Sequence, residues 1–186
     1  GADPVLQIAA RDKTRSGLQS DIMGANLMGV FNVLLVTGDN ARIGPSPTSN
    51  TNILDLDAIQ MLWILRRMRD EGIYLDGRKM KAPPRLFLGA AASPFASEPS
   101  FQALREQKKV NAGAQFFQTN LIYDTDALDA WLEELYKRDV LDKVYILAGV
   151  TPIRSLRMAN YLNDVIPGVT VKKSILNRFE DTREDD

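Results

Sequence analysis

The sequence predicts an α/β protein with a mainly parallel sheet covered by helices. Short apolar runs alternate with segments of helical spacing along the whole chain. These runs are nearly continuous, which is typical of strands buried on both faces. With 186 residues, of which 45% are apolar and 25% charged, the chain is expected to form a single α/β domain with a sizeable core.

Five strand–helix units follow one another. The predicted strands are residues 5–10, 32–37, 85–90, 115–122 and 143–148. The predicted helices are residues 15–28, 57–69, 101–110, 126–138 and 153–165. Gly72 is expected to end the second helix, and Asp124 or Asp126 to cap the fourth. The remaining sequence, "VTVKKSILNRFEDTREDD", starts strand-like, has room for a short helix and ends in a solvated acidic tail.

Two architectures agree with this order of elements. One is a complete, five-stranded, doubly wound sheet, which the pattern alone slightly favours. The other is part of a (β/α)8 barrel, a fold that usually needs about 250 residues. In both architectures ligands bind beyond the C-terminal ends of the strands.

The composition narrows the possible chemistry. A net charge of −1 gives no excess of positive charge that would attract nucleic acid or an anionic membrane. No apolar run has the pattern of a signal peptide or the length of a membrane span. A cytoplasmic protein is therefore expected. The sequence contains neither cysteine nor histidine, so thiolate chemistry, disulfides, the usual general base and the commonest metal ligands are excluded. No metal site is predicted, and a bound cofactor is favoured as the source of any difficult chemistry.

The stretch "NVLLVTGDN" places Gly38 and Asp39 directly after a buried strand that ends at Thr37. Asp39 would lie where parallel folds hold ligand-facing groups, and Gly38 would let backbone approach a flat ligand closely. The alternative is a simple turn capped by Asp39. The long loop that follows favours the functional interpretation, because loops of this length are uncommon unless they function.

Three further motifs are ambiguous by themselves. The small residues of "FLGAAASPF" leave room for a planar group, or suit a tight corner. Lys108 and Lys109 end a helix, where a cation complements the helix dipole or reaches a ligand phosphate. Asn120 ends the fourth strand, and its amide can both donate to and accept from a heterocycle edge.

Taken in order, "VLQIAARDKTRSGLQSDIMGANLMGVFNVLLVTGD", "FLGAAASPF", "KKVNAGAQFFQTNLIYD" and "ILAGVTPI" resemble the methylenetetrahydrofolate reductase family over nearly the whole chain. The resemblance implies strands three to seven of a (β/α)8 barrel, a truncated piece of a longer catalytic domain. It also implies one-carbon metabolism and methionine biosynthesis. In that family FAD takes a hydride from NADH or NADPH and reduces methylenetetrahydrofolate to methyltetrahydrofolate.

The family keeps its general-acid glutamate on the first barrel strand, before the matched region, so the chain alone is expected to be inactive. Uncovered strand edges would favour a homo-oligomer or a partner subunit.

The resemblance also implies functions for individual residues. The implied cofactor-binding residues are Gln7, Thr37, Gly38, Asp39, Ala91, Ala92 and Lys109. Among them Asp39 matches the catalytic aspartate beside the flavin, which favours the cationic iminium form of the folate, and Lys109 matches a basic residue near the cofactor phosphates. Asn120 and Leu156 match substrate-binding positions.

Two positions depart from the family. Gln7 stands where the best-known members have a flavin-contacting histidine, and Asn120 stands where many have a glutamine. These departures keep a second hypothesis open, a non-catalytic folate- or flavin-binding subunit of a methyl-transfer complex. A third is an unrelated doubly wound binding domain.

Overall fold

The computed structural model of the chain describes residues 2–38, 55–95, 98–166 and 168–181. The chain divides into two compact units, the first formed by Gly1–Ala91 with Lys108–Phe117, and the second by Ala92–Gln107 with Gln118–Asp186. No helix in the described ranges is long and apolar enough to cross a membrane. The single-domain organisation stays a prediction.

The strands are β1 Val5–Ala9, β2 Asn32–Val36, β3 Phe87–Ala92, β4 Phe116–Leu121 and β5 Tyr145–Gly149. The helices are α1 Arg15–Leu27, α2 Ala58–Asp70, α3 Pro99–Ala112, α4 Thr125–Lys137, α5 Leu156–Val165 and α6 Lys173–Asp181. Short 3-10 turns form at Ala10–Asp12 and Leu141–Lys143. Each strand–helix unit predicted from the sequence is confirmed, with boundaries that move by up to three residues.

The capping residues explain several of these boundaries. Asp124, rather than Asp126, caps α4, and its Oδ1 accepts from the Ala127 amide at 3.0 Å. Ser155 caps α5 through a bond from the Met158 amide at 3.2 Å, so this helix starts later than its apolar spacing suggested. Gly72, just beyond α2, has φ +63°, a backbone conformation that favours glycine.

The strands lie in the order β1-β2-β3-β4-β5, the same as their order along the chain. The β1–β2 and β2–β3 pairs are parallel, with Gln7 beside Leu34 and Leu34 beside Gly89. A doubly wound sheet reverses its strand order at a switch point. The doubly wound alternative is therefore wrong, and the fold is that of a partial (β/α)8 barrel.

The sheet of the first unit has two unlike faces, because side chains alternate along each strand and paired residues share a face. The buried face carries Leu6, Ile8, Val33, Leu35, Leu88 and Ala90. The open face carries Val5, Gln7, Asn32, Leu34, Phe87 and Gly89. Val5 and Gln7 are exposed there.

The apolar runs predict strands that are buried on both faces, and this prediction is wrong for β1 and β5. Val5 and Gln7 of β1 are exposed, as are Tyr145 and Leu147 of β5. These strands end the strand order of the described residues, where each has a neighbouring strand on one side only. In contrast, Val33, Leu34 and Leu35 of β2 are all buried.

The second unit has its own apolar cluster. Ala159 and Leu162 of α5 pack with Val169 and Val171, and partly buried side chains of α6 surround them. The strand-like start of the tail is not a strand. Its Val171 amide instead donates to the Asn163 Oδ1 at 3.1 Å, which holds the segment against α5.

Candidate functional site

The C-terminal ends of β1 and β2 meet through Arg11 and Thr37. The Arg11 amide, in the turn directly after β1, donates to the Thr37 carbonyl at 3.2 Å. Gly38 follows with φ +87°, in the left-handed region. A Cβ at Gly38 would lie 3.1 Å from the Arg11 Cδ and 3.3 Å from the Ala9 Cβ. The predicted Thr37-Gly38 stretch is therefore exposed backbone with an arginine side chain packed across it.

Gln7 lies on the open face, in one row with Leu34 and Gly89. Its side chain is exposed, whereas Leu34 is buried. A Cβ at Gly89 would overlap the ring of Phe116, which also stacks on Phe87 with 5.2 Å between ring centroids. The row thus starts with an exposed amide and ends in a closely packed aromatic pair.

Ala91 and Lys109 are brought together at the end of β3. The Lys109 Nζ donates to the Ala91 carbonyl at 2.7 Å and lies 6.0 Å from the centroid of the Phe117 ring. Lys109 is in the last turn of α3, so it also complements the dipole of that helix. Ala92, the next residue along β3, is fully buried.

The predicted substrate residues belong to the second unit. Asn120 is half-buried near the end of β4, and its carbonyl accepts from the Thr119 hydroxyl at 2.7 Å. A Cβ at Gly149 would lie 2.8 Å from that carbonyl oxygen, so β5 needs a glycine here. Leu156 is the first residue of α5 and is half-buried.

An apolar cavity of about 460 Å³ lies in the second unit, beyond the ends of β4 and β5. Tyr123, Ile153, Ile175, Arg178 and Phe179 line it. The Tyr123 hydroxyl donates to the Thr151 carbonyl at 2.9 Å, and burial raises the pKa of Tyr123, which keeps the phenol neutral. Sequence reasoning did not identify this cavity, although Tyr123 directly follows one predicted strand and Ile153 begins the last predicted helix.

An ion cluster fixes the segment that precedes α6. The Lys172 Nζ lies 2.8 Å from the Asp124 Oδ1 and 2.6 Å from the Asp126 Oδ2. The hydrogen bond from Lys172 is the main cause that lowers the pKa of Asp124, and the amide of Ala127 adds to it. The same contacts with Asp124 and Asp126 raise the pKa of Lys172. Both groups are therefore charged at neutral pH.

Asp39, the predicted catalytic residue, lies outside the described residues. Arg11 is a residue that sequence reasoning missed. The available signal was its position: Arg11 directly follows the predicted strand 5–10, just as Gly38 directly follows the predicted strand 32–37.

The first unit carries one cation after β1, another that contacts the end of β3, an exposed amide in the middle of β1, and bare backbone after β2. Arg11 and Lys109 supply positive charge, Gln7 an exposed amide, and Gly38 a surface without a side chain. Such a set suits a flat ligand that carries negative charge. No group of three His, Cys, Asp or Glu residues within the described part of the chain could hold a metal ion.

Comparisons with known proteins support the fold. The chain is similar to the solved structure of an uncharacterized protein from Clostridium thermocellum, described as binding two copies of 5-methyl-5,6,7,8-tetrahydrofolic acid, with a TM-score of 0.60 and 16% sequence identity. The match covers 95% of this chain and 53% of that protein, so the chain spans about half its length. No curated protein matches the sequence significantly.

The sequence pattern of the family described as "Methylenetetrahydrofolate reductase" matches residues 1–186. The match extends over both units and all of the strands. The chain therefore belongs to the methylenetetrahydrofolate reductase family.

Proposed function

We propose that the chain is part of a flavin-dependent enzyme that reduces methylenetetrahydrofolate to methyltetrahydrofolate with NADH or NADPH. The observation that carries the proposal is the family match over residues 1–186. The folate ligand of the Clostridium thermocellum protein, which has a similar fold, is further support. When bound, FAD would supply the hydride transfer that a chain without His or Cys cannot perform by side chains alone.

The residues at the strand ends fit a flavin nucleotide. Gly38 offers backbone without a side chain, and the Gln7 amide can donate to or accept from the edge of a heterocycle. Lys109 is proposed to bind the cofactor phosphates. Its ammonium group has three donors, so the bond to the Ala91 carbonyl is compatible with a second bond to phosphate.

Thr37, Ala91 and Ala92 are proposed to lie against the cofactor, and Asn120 and Leu156 against the folate. Asp39 is proposed to stabilise positive charge that develops on the folate, as a fixed carboxylate does at a site that excludes water. A reaction at the strand ends would thus depend on carboxylate, amide and backbone groups, because the sequence contains no histidine.

Ligand binding by the purified protein that contains this chain tests the proposal. We expect FAD to bind with quenching of its fluorescence, and methyltetrahydrofolate to bind in calorimetric titration. Lys109→Met should weaken FAD binding about tenfold, because one charge-assisted bond to phosphate is lost. Lys108→Met is the matched control, since Lys108 is an exposed lysine next to it in α3.

The proposal would be overturned if the unsubstituted protein, here called the parent, bound neither FAD nor methyltetrahydrofolate. Equal effects of the Lys109 and Lys108 substitutions would overturn the assignment of Lys109 to the phosphates.

A non-catalytic folate-binding subunit is the second candidate. The folate complex of the Clostridium thermocellum protein favours it, as do Gln7 and Asn120 at positions where the family prefers other residues. It predicts that methyltetrahydrofolate binds while FAD does not. Bleaching of bound flavin by NADH or NADPH without oxygen, in the protein that contains this chain, would decide for the reductase.

A further inference from the structure

The environment of Arg11 adds a residue to the proposed site. Arg11 lies in the 3-10 turn Ala10–Asp12, which begins immediately after β1. Its amide donates to the Thr37 carbonyl at 3.2 Å, so a backbone hydrogen bond holds the turn at the end of β2. Arg11 therefore occupies the sheet edge that holds Thr37 and Gly38.

The Arg11 side chain packs on Gly38. An added Cβ at Gly38 would be 3.1 Å from the Arg11 Cδ and 3.2 Å from its Cγ. Gly38 also has φ +87°, which other residues rarely adopt. Glycine is thus required twice, by the backbone conformation and by the aliphatic part of Arg11. This packing holds the stem of Arg11 at the strand ends, and its guanidinium group lies just beyond Cδ.

Guanidinium chemistry indicates what this residue would bind. The group stays charged at every physiological pH and presents several donors in a plane, which matches a carboxylate or a phosphate with two parallel bonds. Lys109, the other cation at the strand ends of the first unit, is a point charge that already contacts the Ala91 carbonyl.

We propose that Arg11 binds an oxyanion of the ligand held at the ends of β1 and β2, and that Gly38 positions Arg11 for this contact. The inference rests on the proposed function, which supplies two possible sources of the oxyanion. One is a phosphate of the flavin nucleotide, and the other is a carboxylate of the folate glutamate.

Arg11→Gln and Arg11→Lys, measured with four probes, test the inference. The probes are FAD, riboflavin, methyltetrahydrofolate and a tetrahydropterin that lacks the glutamate. If phosphate is the source, Arg11→Gln weakens FAD binding about tenfold or more and leaves riboflavin binding unchanged. If the folate carboxylate is the source, Arg11→Gln weakens the binding of methyltetrahydrofolate by a similar factor and leaves the binding of the tetrahydropterin unchanged. Arg11→Lys should recover part of the loss, because it keeps the charge without the planar donors.

Two controls separate binding from folding. Arg105→Gln changes an exposed arginine of α3 and should leave all four affinities unchanged. The circular dichroism spectrum of Arg11→Gln should stay that of the parent, so that a loss of affinity in this variant is not a loss of folding.

Unchanged affinities in Arg11→Gln for every probe that the parent binds would overturn the inference and leave the proposed function standing. Equal losses for the probes with and without the oxyanion would overturn it too. If the parent protein binds none of the four probes, both the proposed function and the inference about Arg11 are overturned.

Discussion

On the buried face of the first unit's sheet, Ile8, Leu35 and Ala90 form a row with exposures of 4%, 0% and 0%. The adjacent row on the open face starts at exposed Gln7 and ends at Gly89, where the Phe116 ring occupies the space of a side chain. The two rows are one residue apart along the same three strands. Their environments nevertheless differ in polarity, exposure and packing.

This difference shows how one set of strands combines stability with ligand binding. Each fully buried apolar side chain contributes roughly 1.5–3 kcal/mol to the free energy of unfolding. An exposed side chain such as Gln7 contributes little, so polar groups are tolerated there. Substitutions on the two faces should therefore separate into those that change stability and those that change binding.

The largest effect is expected on the buried face. Leu35→Ala should lower the free energy of unfolding by about 2–5 kcal/mol, because it leaves a cavity where the side chain was fully buried. Val5→Ala on the open face is the control. It should change the free energy of unfolding by less than about 1 kcal/mol, because Val5 is 46% exposed. Urea denaturation measures both. Similar losses at the two positions would mean that the faces do not differ in packing.

An intermediate effect is expected where the open face is closed by aromatic rings. Gly89→Ala should cost about 1–3 kcal/mol of unfolding free energy, because the new methyl group would overlap the Phe116 ring. Phe116→Leu should reduce that cost when the two substitutions are combined. A double-mutant cycle by urea denaturation measures this coupling. Simple additivity of the two substitutions would contradict the contact.

The smallest effect is expected at the ion pair between Lys172 and Asp124, whose side chains are half-buried. Lys172 lowers the folded-state pKa of Asp124 below its ordinary value of 3.8. The stability that this provides is present above that value and is lost as the pH falls through the lowered pKa. Lys172→Met should therefore lose less stability than the parent between about pH 5 and about pH 3.

Lys173→Met is the matched control, because Lys173 is the exposed neighbour of Lys172 and makes no ion pair within the described part of the chain. Thermal denaturation at several pH values compares the three proteins. Identical acid profiles for the parent and Lys172→Met would show that solvent screens the pair completely.

Much of the fold could be predicted from the sequence because local signals agree with it. Apolar runs such as "NVLLV" mark strands, and Asp124, one of the two residues predicted to cap the fourth helix, does cap it. The strand order could not be predicted from such local signals. The sequence of a strand looks the same whether it pairs with the next strand along the chain or with a different one. The family resemblance chose the barrel correctly where periodicity left two architectures open.

The candidate site was predictable only in part. Thr37 and Gly38 could be placed at a strand end from their position after "NVLLV", and the structure puts them there. Arg11 also follows a predicted strand directly, but its packing on Gly38, a residue far along the chain, is visible only in the structure. The cavity around Tyr123 likewise depends on α6, which contributes Ile175, Arg178 and Phe179.

The sequence alone determined the class of fold, the number of strand–helix units and the exclusion of histidine and cysteine chemistry, because these depend on composition and local periodicity. Only the tertiary structure decided the strand order, the difference between the two faces and the contacts of Arg11 and Lys109. The physical reason is that these properties arise from pairing and packing between residues distant in the chain, which no local pattern of residues encodes.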